Sequence, residues 1–364
     1  MGSSSTENNH GSKHHQEQDD PCLTAMLMSS YHVFPVILYA AVDLDLFGII
    51  AREGRGGFMS PSEVACHLPS RCPESAEILD RVLRLLASHS LLSYCTETDR
   101  DGKVVMKYGI APAGKYYVRA ADGDSAASLS LFAHHRAIVD VMLGMKEAIL
   151  GGGNLFQKFH GMTIFQYMND SILNKYFNDA MADLSFIQTK KVLEVYNGFE
   201  GLSVLVDVGG GKGATLHAII SKYPSIKGIN FDLPQVIQHA PAYPGIEHVG
   251  GDMFEGVPKG DAIMIKGTCH NWSDESCLKF LRNCYNAIPE NGKVIIIDFI
   301  MPDEPETTDE AKYVAMLDNA MFIQPGGKER TERQFEALCR GSGFSGFKVA
   351  AKAIKALGVI EFTK

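Results

Sequence analysis

Five residues, Val204-Leu205-Val206-Asp207-Val208, run directly into Gly209-Gly210-Gly211-Lys212-Gly213, and helical spacing resumes at Ala214. A short apolar strand, a glycine turn and a helix in immediate succession leave few folds open. Glycine lacks a Cβ, so backbone N–H groups in such a turn can approach a ligand where a side chain would collide with it. The rhythm recurs downstream. Residues 228–231, 262–265 and 294–297 are further short apolar runs, each followed by a helical stretch. Continuous apolar strands alternating with helices predict an α/β domain built on a buried parallel sheet.

The glycines alone do not specify what the turn holds. Gly209, Gly211 and Ala214 satisfy the dinucleotide spacing, with Asp232 about twenty residues further on as a ribose ligand, so a nicotinamide-dependent oxidoreductase stays open. Two more acids tip the reading: Asp207 closes the first strand, and Asp252 lies in Gly250-Gly251-Asp252-Met253-Phe254. One acid at each strand end suits a ligand with a cationic amino-acid head, a ribose diol and an adenine amino group. S-adenosylmethionine has all three.

Upstream, apolar residues at three and four spacing (Ile37, Leu38, Ala41, Leu44, Leu46, Ile49, Ile50) predict helix, ended at Gly54. Ser60-Pro61-Ser62-Glu63 opens a short helix with a capping residue and a first-turn proline. An amphipathic helix over 78–92 follows, and residues 92–96 and 104–108 read as a hairpin around a polar turn. That order is mostly helical and winged-helix-like. Such modules often read DNA, but the long helix offers only Arg81, Arg84 and His89, and the chain carries 34 basic against 43 acidic side chains, a net −9. No nucleic-acid partner is expected, and a dimerisation role is.

These breaks divide the chain into a polar tail over 1–20, a dimerisation module over 21–121 and a catalytic domain over 122–364. The tail's His10, His14 and His15 are read as solvated. Nowhere do about 18 uncharged apolar residues run together, so no membrane span is expected. The 8 cysteines show no CxxC pairing or metal-ligand spacing and are read as reduced thiols in a cytoplasmic protein.

The segments LVDVGGGKGATL, NFDLPQVI, HVGGDMF, KGTCHNWSDE, NGKVIIID and PGGKERT occur in this order. With them the chain, from about Cys22 onward, resembles the plant phenolic O-methyltransferases of the caffeic acid/5-hydroxyferulic acid type. The resemblance implies a winged-helix-like dimerisation domain joined to a Rossmann-like S-adenosylmethionine-dependent methyltransferase domain. It also implies a homodimer and methylation of a phenolic hydroxyl without a metal. On that pattern Gly209, Asp232, Asp252, Met253 and Lys266 hold S-adenosylmethionine, beside the candidates Asp207, Gly211, Leu233 and Phe254. His270 is the catalytic base, Glu329 is one of two acids orienting it, and the other falls on Asp298, where the family normally has Glu.

The chemistry asks for those residue types. A phenol (pKa ~10) is a poor nucleophile until its proton leaves, and an imidazole (pKa ~6.5) is free to take it near neutral pH. A carboxylate on the far ring nitrogen fixes the tautomer and stabilises the imidazolium. His134, His135 and His160 lack that context and are read as structural.

Candidate substrate residues are Met168, Phe177, Met181, Leu184, Met321 and Gln324, and departures from the family gather among them. Leu184 stands where caffeic acid enzymes typically place a histidine, Met168 replaces a polar position, and the segment ending at Gln324 is one residue short. Gly267 and Thr268 remove bulk after Lys266, and Asn271 follows the base where Asp is usual. The expected substrate is therefore a less polar phenol such as a phenylpropene, coumarin, flavonoid, lignan or alkaloid phenol. A family member that has lost catalysis and acts as a ligand-binding or dimerising partner, and an N-methyltransferase, are the other readings.

Overall fold

The computed structural model describes residues 20–54, 57–98, 101–119, 125–167 and 172–364. The expectations for residues 1–19 and for Met168 lie outside them.

In the N-terminal module the helices Val33–Asp43, Leu46–Glu53, Pro61–Ala65 and Ser75–Ser88 pack against a hairpin of β1 (Leu92–Thr98) and β2 (Val104–Ile110). The proline-opened helix starts at a full capping box. Ser60 Oγ accepts from the Glu63 N–H (3.2 Å), and Glu63 Oε2 accepts from the Ser60 N–H (2.6 Å), so two otherwise orphaned donors are satisfied. Leu79, Leu83 and Leu86 point the longest helix of this module into a core shared with Phe47, Ile50 and Tyr108. The first helix, Pro21–Ser30, buries no residue at all. Among the described residues no single helix is long and apolar enough to cross a membrane.

A helical layer follows, ending in the 24-residue helix Ile172–Val195. That helix packs at one end on the helix Ala127–Ala133 and at the other on the C-terminal sheet domain. Ala127 and Leu131 belong to the N-terminal core although they follow residue 121.

The sheet comprises β3 (Val204–Val208), β4 (Lys227–Asp232), β5 (Ile246–Gly250), β6 (Ala262–Lys266), β7 (Lys293–Met301), β8 (Arg330–Thr331), β9 (Gly346–Ala353) and β10 (Leu357–Thr363). Its order is β5-β4-β3-β6-β7-β10-β9, with the short β8 attached to β7. The first five are mutually parallel, as the apolar runs predict, but β10 runs antiparallel to both β7 and β9. The sheet is therefore mixed: the four apolar runs read from the sequence are parallel as expected, and β9 and β10 add an antiparallel pair beyond them. The edge strand β9 carries Lys348 and Lys352 and β5 carries Glu247 and His248, so neither has the continuous apolar run that marks a strand buried on both faces.

Separate apolar cores cover the two faces of the sheet. The chain leaves β3 toward β4 and β5, then returns to place β6 on the other side of β3. Ligands in open α/β sheets bind at such a reversal, beyond the carboxyl ends of the strands. Asp207, Lys266 and Asp298 sit at or near those ends of β3, β6 and β7.

Candidate active site

The turn after β3 is made by backbone that only glycine adopts easily: φ is +75° at Gly209, +58° at Gly211 and +85° at Gly213. Gly210, not singled out from the sequence, is constrained by space instead. A Cβ there would collide with Asn230 Oδ1 and stand 2.7 Å from the Asp207 carboxyl carbon. Asp207 lies 1% exposed beneath the turn, and its Oδ2 has no protein partner. Burial pushes its carboxyl up to about 7, against the opposing pull of Lys266 and with help from Asp232.

Asp232 is already engaged at both oxygens, accepting from the Gly211 N–H (2.8 Å) and the Leu233 N–H (2.7 Å). It orders the glycine turn while leaving its remaining lone pairs for a diol. Asn230, which sequence reasoning missed, is fully buried and donates from Nδ2 to the Gly211 carbonyl (2.9 Å) and to His248 Nδ1 (3.1 Å). An Asn inside the apolar run of β4 was its only signal.

Asp252 Oδ1 accepts from the Phe254 N–H (2.9 Å), and the Met253 carbonyl accepts from Asn283 (2.8 Å). The Phe254 ring packs edge-on against Trp272 and Phe280, supporting this loop from the core side. Lys266 donates to Ser185 Oγ at 3.1 Å, tying the end of β6 to the long helix. Burial pulls its ammonium down to about 8, opposed by Asp207 and Asp298.

His270 lies on one turn of 3-10 helix, Cys269–Asn271, just past β6. Its Nδ1 is 2.9 Å from Glu329 Oε1, and the glutamate side chain is 1% exposed. A carboxylate can only accept, so Nδ1 carries the hydrogen and Nε2 is left as a proton acceptor. Burial works to lower the imidazolium pKa, but the Glu329 hydrogen bond and the Asp298 and Glu329 charges outweigh it, and the net direction is up.

Asp298, expected to orient the ring alongside Glu329, makes no hydrogen bond to it. It is 2% exposed, and neither carboxyl oxygen has a hydrogen-bond partner. Aspartate is one methylene shorter than the glutamate expected there, and its charge favours the imidazolium of His270. Burial pushes its own pKa up to about 6, with His270 the leading opposing influence.

The segment Pro325–Arg330 closes around the base. The Lys328 N–H donates to the His270 carbonyl (2.9 Å), and the Glu329 N–H donates to Asp318 Oδ1 (2.8 Å). Pairing of Arg330 with Ile300 fixes the segment to the end of β7. Beside it, Asn271 donates to the Gly267 carbonyl (3.3 Å), and a Cβ on Gly267 would meet open space.

Of the candidate substrate residues, Phe177 and Met181 pack with Ile323 around one apolar cluster, where Phe177 also meets Phe132 edge-on at 5.3 Å. Leu184 lies one turn further along the same helix, partly buried. The Met321 carbonyl accepts from the Gly326 and Gly327 N–H groups, and the Gln324 carbonyl accepts from Asn154 Nδ2 at 3.1 Å. Asn154 was also missed. Among the described residues no group of His, Cys, Asp and Glu is arranged to hold a metal.

The family model of an O-methyltransferase domain matches residues 143–345, and that of an O-methyltransferase dimerisation domain matches residues 26–120. The chain belongs to the O-methyltransferase family. It is 53% identical over 344 residues to caffeic acid 3-O-methyltransferase of Rosa chinensis, covering 94% of each protein. It is 50% identical over 366 residues to O-methyltransferase 13 of Lophophora williamsii, covering 100% of this chain and 99% of that one. Human N-acetylserotonin methyltransferase shares the fold, with a TM-score of 0.80 at 20% identity over 96% of this chain and 99% of that one. Membership in this family of methyltransferases disfavours the nicotinamide alternative.

Proposed function

We propose that this O-methyltransferase moves a methyl group from S-adenosylmethionine to a phenolic hydroxyl of a plant specialised metabolite, with His270 as general base. The observation that carries the reading is the 2.9 Å His270–Glu329 pair, at the carboxyl edge of the sheet beside the glycine turn.

The residues fit the cofactor. Three positive-φ glycines expose the turn's backbone, Asp207 keeps an unpartnered buried oxygen under it, and Asp232 and Asp252 stand at the next two strand ends. Gly209, Gly211, Asp232, Leu233, Asp252, Met253, Phe254 and Lys266 would hold it with Asp207. When bound, S-adenosylmethionine supplies a methyl group on a sulfonium, already electrophilic and leaving behind a neutral thioether. What remains for the protein is alignment, exclusion of water and removal of one proton. His270 Nε2 would take the phenol proton, leaving the oxygen free to accept the methyl group that the bound sulfonium would supply. Glu329 keeps the ring in the Nε2-accepting tautomer and stabilises the imidazolium, and Asp298 adds a second negative charge nearby.

Phe177, Met181, Leu184, Met321 and Gln324 are the residues proposed to line the phenol pocket, and the sequence candidate Met168 lies outside the described residues. Thioethers and rings suit a planar aromatic guest. Leu184 supplies no hydrogen bond, which favours a phenol less polar than caffeic acid. We further propose a cytosolic homodimer built through residues 21–121, supported by the dimerisation-domain match and by the wholly unburied first helix.

Labelled S-adenosylmethionine offered with a panel of phenols tests the reading. Label transfer by the wild type and its loss in His270→Ala are expected; a His270→Ala enzyme at full rate would remove the base.

A further inference from the structure

Two consecutive residues reach His270 by different routes. Glu329 holds the ring, whereas Arg330 holds the backbone that carries it. Arg330 Nη1 donates to the Cys269 carbonyl at 2.6 Å and Nη2 to the Trp272 carbonyl at 2.7 Å, while Nε donates to Asp274 Oδ1 at 2.9 Å. The two carbonyls flank His270 in sequence, one residue before it and two after.

The Arg330 side chain is 0% exposed, whereas its carboxylate partner Asp274 is 53% exposed. Burying a guanidinium is costly, and the exposed half of an ion pair offsets it only in part. A planar fork can satisfy several acceptors in one rigid geometry, and a lysine ammonium cannot reproduce that. The frame behind the fork is also rigid. Arg330 pairs with Ile300 of β7, and the Glu329 N–H is held by Asp318. The carboxylate and the guanidinium therefore share one anchored stretch of backbone, which fixes the His270 ring and its turn relative to each other.

We propose that Arg330 is a positioning residue for the methyl transfer: by gripping the carbonyls on either side of His270 it sets the imidazole on Glu329 and toward the phenol hydroxyl. The proposal rests on His270 being the base. A 2.9 Å hydrogen bond weakens steeply as its geometry opens, and a misplacement near 1 Å costs about a hundredfold in rate. Loosening the turn therefore slows the chemical step more than it weakens either substrate.

The test uses the full-length enzyme with S-adenosylmethionine and a phenol that it turns over. kcat, both KM values and the pH dependence of kcat are measured for wild type, Arg330→Lys, Arg330→Met and Asp274→Ala, with S-adenosylhomocysteine binding counting the folded sites. In Arg330→Lys, kcat per folded site falls about tenfold or more, both KM values stay within about twofold, and the acid limb of kcat moves to lower pH as the Glu329 contact loosens. Asp274→Ala leaves the carbonyl contacts in place and shifts kcat and the acid limb the same way by less. If the Arg330 variants do not fold, Asp274→Ala decides on the same readouts. A folded Arg330→Lys enzyme with wild-type kcat and acid limb overturns the proposal, as does a loss matched by the loss of folded sites with the limb unmoved. His270→Ala separates the two failures. If it is inactive while Arg330→Lys is unaffected, only the positioning role falls; if it keeps full rate, the base assignment itself falls.

Discussion

Gly327 lies directly against the main chain of His270: a Cβ built on Gly327 would overlap the His270 carbonyl oxygen and stand 2.9 Å from its carbon. The contact lets the Lys328 N–H reach that same carbonyl at 2.9 Å. The glycine is required for close approach, because its backbone is not among the positive-φ glycines. In Gly327→Ala the turn carrying the base must move. We expect kcat to fall about tenfold or more, with S-adenosylhomocysteine affinity within about twofold, since the cofactor turn is not involved. Single-turnover kinetics beside calorimetry reads both.

The carboxylates around His270 predict opposite ends of one pH profile. Burial alone would depress the imidazolium; Glu329 and Asp298 raise it instead. The base must be neutral to act, so the wild-type kcat should decline on the acid side with an apparent pKa above the ordinary value of about 6.5. Glu329→Gln removes both a charge and the charged hydrogen bond. Its acid limb should move to lower pH, while kcat falls by about ten- to a thousandfold through loss of ring orientation. Asp298→Asn removes charge only and should move the limb the same way by less. A limb that does not move in Glu329→Gln refutes the assignment.

Asp207, pushed up to about 7 by burial, links cofactor binding to protons. A cationic ligand beside it favours the ionised carboxyl, so binding just below pH 7 should release a proton, and affinity should rise with pH until about 7. Lys266, pulled down to about 8, titrates above that window. Calorimetry of S-adenosylmethionine in buffers of differing ionisation enthalpy measures the release. In Asp207→Asn the release should vanish and binding weaken; equal proton release in wild type and variant contradicts the linkage.

The first helix leaves Leu27 51% exposed among the still more exposed Leu23, Met26 and Met28. Burial of such a face is worth about 25 cal/mol per Å² of apolar surface, and a charge placed there opposes it. Leu27→Glu should convert the dimer to monomer by light scattering while each chain still binds S-adenosylhomocysteine, since the cofactor turn lies in the sheet domain. A variant that remains fully dimeric argues for a different interface.

The elements that were legible in the sequence are those whose signal is local. The strand Val204–Val208 is five residues of near-continuous apolar sequence, and the glycines after it must adopt φ values that other residues resist. The Ser60–Glu63 capping box is complete within four residues. The resemblance likewise pointed to His270 and Glu329 because their motifs are contiguous. By contrast, the edge strand β9, interrupted by Lys348 and Lys352, has no continuous apolar run, and the antiparallel pairing of the apolar β10 between β7 and β9 is set by long-range contacts that no local pattern records; Asn230 looked like one polar residue in an apolar strand.

The sequence by itself determined a glycine-turn α/β domain behind a small helical module, because the 3.6- and 2-residue periods and the steric needs of glycine act over a few residues. Only the tertiary structure decided that Glu329 and not Asp298 is hydrogen-bonded to His270, that Arg330 grips the turn beneath it, and that Gly327 must stay bare. These relations join residues 57 to 61 positions apart. They depend on β8 docking on β7 and on differences of one methylene, which no local period encodes.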